Sequence, residues 1–146
     1  MVSQFNRPLF RALQPVQIAS WHQLGTSGSN SSFLRELANS LVMKEAGEKE
    51  VVGDHRFASE RVYWLRRPSV PGSFEAGFTT LETRPFSSRL VLGLFDLAAQ
   101  EPSMLWVADR LSMDRNGRPA LPSAGLSAAF ARTQAPFKGA QFGLLR

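Results

Sequence analysis

His22 and His55 are the only histidines in this 146-residue chain, and cysteine is absent. Without cysteine there are no disulfides, thiolate nucleophiles, thiolate metal ligands or iron–sulfur clusters. Two isolated imidazoles need further ligands before they can hold a metal, so no metal site is expected. Asp54, His55 and Ser59 supply the residue types of a nucleophilic triad. That chemistry needs serine bonded to histidine and histidine oriented by the acid in space, which adjacent Asp-His side chains seldom achieve. There is also no G-x-S-x-G elbow to present a nucleophile. The run Gly25–Ser32 is rich in Gly and Ser, but it lacks the Gly-Lys-Ser/Thr ending and the preceding strand of a phosphate-binding loop. Asp114, Asn116 and Gly117 overlay part of a calcium loop, with Ser112 and Ser123 at its first and last positions. The bidentate acid is therefore missing, and the segment reads as a tight turn. Glu45, Glu48 and Glu50 alternate with Lys44 and Lys49 and read as a solvated helix end. These patterns imply no catalytic, cofactor or metal residues.

Aromatic and basic residues carry the other chemistry. Arg61–Arg67 (RVYWLRR) has the composition of a surface that stacks nucleobases on aromatic rings flanked by arginine. The competing reading packs Trp64 in the core with the arginines reaching outward, and it is preferred. Trp106 is weighed in the same way. Phe137 and Phe142, in a Gly-containing basic tail, read as anchors for a partner's pockets.

Charge is unevenly laid out. No acid precedes Glu36 and none follows Asp114, so a near-neutral middle carries two basic ends within a net charge of +5. Such ends suit anionic partners or a targeting segment. The expected partner-binding residues are Arg7, Arg11, Arg66, Arg67, Arg132, Phe137, Lys138, Phe142 and Arg146.

Periodicity and turn signals predict the elements that carry these residues. Phe5, Leu9 and Leu13 share a face opposite Arg7 and Arg11 if the N-terminal stretch is helical, as in targeting segments. Phe33, Leu34, Leu37, Leu41 and Val42 recur at helical spacing and predict a helix over residues 32–46, closed by Gly47. Residues 61–66 and 77–83 predict strands that could pair as a long-looped hairpin. Residues 88–99 predict a helix weakened by Gly93. Residues 104–111 are ambiguous, and as a strand would receive residues 118–121 folded back across the Asn116-Gly117 turn, with Pro119 and Pro122 keeping that return to an edge. Residues 127–132 predict a short helix. The longest apolar run, Leu90–Ala99, is half the roughly 20 residues that a membrane span needs and contains Asp96.

The resulting expectation is an α+β fold: a small antiparallel sheet from about 61–83 and 104–121, two or three helices, and extended basic N- and C-terminal segments. A mostly α arrangement with long loops is the alternative. Residues 1–31 would form a basic arm or targeting-like segment, 32–132 a small globular domain and 133–146 an extended tail. With no catalytic constellation, the expected function is a non-catalytic accessory subunit of a large multiprotein assembly. A mitochondrial location is expected, in a respiratory-chain complex or a mitochondrial ribosome, with protein partners, possible RNA contact and no small-molecule substrate or cofactor. The alternatives are an RNA-binding module and a small enzyme whose site forms only in three dimensions.

Overall fold

The computed structural model describes residues 5–24, 32–47 and 54–137. Five strands form one antiparallel sheet: β1 (Arg11–Ile18), β2 (Asp54–Trp64), β3 (Gly72–Thr83), β4 (Ser87–Asp96) and β5 (Met104–Met113). Their spatial order is β1-β3-β4-β5-β2, so β1 and β2 are the two edges. Helix α1 (Ser32–Ala46) connects the edge strands in sequence and lies on one face of the sheet, and α2 (Ala124–Arg132) packs against α1 and β3.

Helix α1 forms as its spacing predicts. Leu34, Leu37, Ala38, Leu41 and Val42 make one buried stripe at i, i+3, i+4, i+7 and i+8. The stripe packs on Phe74, Ala76 and Phe78 of β3, Leu90, Leu92 and Leu94 of β4, and Met104, Trp106 and Ala108 of β5. Alternate residues of the same strands, among them Leu81, Val91, Phe95, Leu105 and Val107, point to the opposite face. There Phe5, Phe10 and Ala135 cover them. Because both faces are buried, the central strands read as continuous apolar runs rather than alternating ones.

This arrangement corrects the α+β expectation of a small sheet with extended ends, and its mostly α alternative. Residues 88–99 do not form a helix; Ser87–Asp96 is β4, at the centre of the sheet. The N-terminal amphipathic helix is instead edge strand β1, preceded by a short 3₁₀ turn over Arg7–Leu9. Residues 61–66 and 77–83 fall largely in strands, but β2 and β3 do not form a hairpin: β2 pairs with β5, and β3 with β1 and β4. Residues 118–121 return only as a single bridge between Met113 and Pro119, after a turn in which Asp114 Oδ1 accepts from the Asn116 and Arg118 amides. The C-terminal segment is not simply extended from the body. Gln134 bridges in parallel to Thr80 of β3, and the Thr133 and Thr80 hydroxyls lie 2.8 Å apart in the interior.

Candidate functional site

Edge strand β2 changes parity midway. Its register against β5 shifts between Ala58 and Arg61, where Ser59 adopts a positive φ of 55°. Such a bulge inserts a residue and re-aims the side chains beyond it. His55 and Phe57 before it, and Glu60, Val62 and Trp64 after it, therefore all face the helix side. Phe57 and Val62 accordingly both pack on the helix-side core.

Two clefts open along this flank. The first, of about 510 Å³, is lined by Trp21, Trp64, Leu65, Arg66 and Arg67. Trp21 belongs to a 3₁₀ turn (Trp21–Leu24) that comes after β1, and the other four residues lie at the end of β2 and just beyond it. The two indoles lie 5.3 Å apart, centroid to centroid, and the Arg67 guanidinium sits 4.9 Å over the Trp21 ring. Arg66 pairs with Asp96 at 2.9 Å in an exposed position. Exposed pairs of this kind contribute about 0–1 kcal/mol, so the guanidinium can exchange partners readily.

The second cleft, of about 490 Å³, lies between α1 and the first half of β2, with Arg35, Glu36, Asn39, Ser40, His55, Arg56 and Phe57 around it. Arg35 and Asn39 are four residues apart and share one helix face. Behind this wall, Arg35 Nε donates to Glu60 Oε2 at 2.8 Å. The Glu60 side chain is only 5 % exposed, and its Oε1 has no hydrogen-bond partner among the described residues. Arg110 of β5, 2 % exposed, donates through Nε and Nη2 to Asn39 Oδ1 at 3.2 and 3.1 Å. The cleft thus combines guanidinium, carboxylate, carboxamide and imidazole groups on an apolar floor.

The residues expected to bind partners are dispersed. Arg66 and Arg67 line the first cleft. Arg7 holds the N-terminal segment down through Glu75 at 2.7 Å, the Ala99 carbonyl at 2.7 Å and the Phe95 ring. Arg11 is exposed at the start of β1. Arg132 donates to the Glu45 carbonyl at 2.7 Å, tying α2 to the end of α1. Phe137 lies edge-on to Phe5 at 5.2 Å. Lys138, Phe142 and Arg146 lie outside the described residues. Trp106, weighed with Trp64, is buried in the helix-side core. His22 is exposed beside Trp21, whereas His55 is half-buried against Phe57 on β2. Ser59 sits in the bulge, so the triad reading does not assemble around it. Among the described residues, no group of three or more His, Asp or Glu side chains could hold a metal ion, and no helix is long and apolar enough to cross a membrane.

Trp21, Arg35, Asn39, Glu60 and Arg110 were not among the residues expected from sequence. The aromatic and basic composition near Trp64 was a visible signal. The Arg110–Asn39 contact spans 71 positions and had none.

Neither a known sequence family nor any curated protein matches the chain. Solved structures do match its fold. The PA5185 protein of Pseudomonas aeruginosa superposes with a TM-score of 0.73 at 18 % identity, over 92 % of this chain and 99 % of that one. A hypothetical protein of Staphylococcus aureus in complex with CoA gives 0.64 at 10 % identity, over 84 % and 85 %. A thioesterase of Thermus thermophilus complexed with coenzyme A and Zn gives 0.59 at 14 % identity, over 86 % and 95 %. These likenesses overturn the expectation of a non-catalytic accessory subunit, respiratory or ribosomal, with protein or RNA partners and no small-molecule ligand. What the chain shares is a hot-dog-like fold that is also the fold of thioesterases such as the Thermus protein.

Proposed function

We propose that this chain binds coenzyme A thioesters and hydrolyses them, with the nucleotide end of the coenzyme in the Trp21–Trp64 cleft. The observation that carries this reading is the convergence of two indoles and two guanidiniums at the end of β2. An adenine ring stacks on indole faces, and base–aromatic stacking contributes about 1–3 kcal/mol per base. The phosphates of the coenzyme suit arginine, whose planar fork donates two charge-assisted hydrogen bonds to one anion. Arg67 makes no ion pair among the described residues, and Arg66 is held mainly by the exposed Asp96 pair. The fold likeness to thioesterases supports the same reading, as does the polar second cleft further along β2. Of the alternatives drawn from sequence, this is the small enzyme whose site assembles only in three dimensions.

The test pairs binding with turnover. Tryptophan fluorescence should change on titration with CoA and respond less to dephospho-CoA. Acyl-CoAs from acetyl to palmitoyl should release free thiol, read with a thiol-reactive dye. Arg67→Ala and Trp64→Ala should each weaken CoA binding roughly tenfold, or about 1.4 kcal/mol. A folded chain that neither binds CoA nor releases thiol from any of these substrates would sink the reading.

A further inference from the structure

We propose that Asn39 is a catalytic residue, its carboxamide N–H donating to the thioester carbonyl oxygen, and that Arg110 is the positioning residue that fixes it there. The proposal rests on the thioester reading and assigns the reacting end of the site.

Arginine carries only donors, so the Asn39 atom facing Arg110 must be the oxygen. Two hydrogen bonds from Arg110 to Asn39, at 3.2 and 3.1 Å, both end on that Oδ1. The amide cannot flip without setting its N–H groups against a guanidinium that is 2 % exposed. Nδ2 is therefore turned away from β5. It donates to no described residue, and Asn39 lines the second cleft. The result is a neutral donor with both hydrogens uncommitted among the described residues, held by a buried cation at the wall of a partly apolar chamber. A donor aimed before the reaction starts needs no reorganisation as charge develops on a substrate oxygen.

Placement agrees with this role. From Trp64 back to Phe57 is seven residues of strand, roughly 23 Å at the usual rise. That is the scale of an extended pantetheine arm, so the two clefts are spaced to hold the two ends of one coenzyme A thioester. Both clefts face that side because of the Ser59–Glu60 bulge.

In the step itself, water adds to the thioester carbonyl carbon. The new C–O bond forms as the carbonyl π pair moves onto oxygen, and that oxygen takes the Asn39 hydrogen bond. Collapse breaks the C–S bond. The proton lost by water ends on the departing sulfur, so a carboxylic acid and a free thiol leave while Asn39 exchanges no proton.

Asn39→Asp is the decisive variant, because it keeps the oxygen that Arg110 holds and replaces the donating NH2 with a second, charged oxygen that cannot donate. The expected result is a melting temperature equal to or above wild type, unchanged CoA affinity by tryptophan fluorescence, and kcat on acyl-CoA lower by about 100-fold or more. Arg110→Lys retains the buried charge but not the two-pronged contact, and should lower kcat with KM little changed. Asn39→Asp turning over within threefold of wild type, or faster, overturns the proposal while leaving the thioester reading intact. A folded wild-type chain that hydrolyses no thioester overturns both.

Discussion

Glu60 lies under α1 with one carboxylate oxygen on Arg35 and the other without a partner among the described residues. Removing a carboxylate from water is tolerated only when a cation and hydrogen bonds compensate it. Arg35 is 36 % exposed, so the attraction is partly screened, but among the described residues it is the cation paired with this carboxylate. Arg35→Ala should therefore lower unfolding free energy by about 2 kcal/mol, with Glu60→Leu recovering most of it in the same chain. Urea denaturation at neutral pH reads both. An Arg35→Ala chain with the wild-type midpoint would mean that Glu60 does not depend on Arg35. Single residues of this kind were poorly legible. Neither Glu60 nor Asn39 carries a signal of its own in the sequence, because a strand bulge and an arginine 71 positions away give them their places. Trp64, Arg66 and Arg67 were legible as an aromatic–basic pattern because they are nearly contiguous in the chain. Their partner Trp21, 43 positions earlier, was not.

At the scale of elements, β4 shows how a pattern misleads. Leu90–Phe95 is apolar at nearly every position because α1 buries one face and Phe5, Phe10 and Ala135 the other. A continuous apolar run of that length does not distinguish a buried strand from a helix. Gly93, which would have weakened a helix, has a packing reason in the strand. It stands opposite Gly77 of β3, and a Cβ there would lie 2.7 Å from the Phe10 ring. The two glycines leave a trough that the ring fills. Gly93→Ala should cost about 1–3 kcal/mol by displacing Phe10, and Phe10→Ala about 3 kcal/mol by emptying the trough. Combined, they should cost clearly less than their sum, since each removes the other's reason. Denaturant midpoints of the three variants check this, and strict additivity would show that the ring does not sit against Gly93. Helix α1, in contrast, was legible to its boundaries. One face is apolar and the other polar, so the 3.6-residue period survives in the sequence.

The whole molecule is a sheet with two covers, and the second cover comes from both ends of the described chain. Phe5 is fully buried and meets Phe137 edge-on at 5.2 Å. The Arg7 amide donates to the Gln100 carbonyl at 2.7 Å. The Ala135 amide donates to the Thr80 carbonyl at 2.7 Å, and the Thr80 amide to the Thr133 carbonyl at 2.9 Å. Basic, acid-free ends suggested arms reaching for other molecules, but pairing in space ignores order along the chain. Arg7 finds Glu75 and Arg132 finds Glu45, both acids of the middle segment. The function was illegible for a related reason: the two clefts draw on residues 21, 35–40, 55–57 and 64–67, brought together only by the α1–β2 flank. Of the residues lining those clefts, only Leu65 packs against the cluster beneath this cover, so the cover can be loosened with the indoles and guanidiniums left in place. Phe5→Ser should raise hydrogen exchange at the Arg7 and Ala135 amides together, since the Phe5–Phe137 contact joins the two segments. Amides of α1 and β2 should keep their protection, and CoA-dependent tryptophan fluorescence should be unchanged. If Ala135 stayed protected while Arg7 opened, the Thr80–Thr133 hydrogen bonds alone would hold the C-terminal segment, and the cover would be two independent straps rather than one.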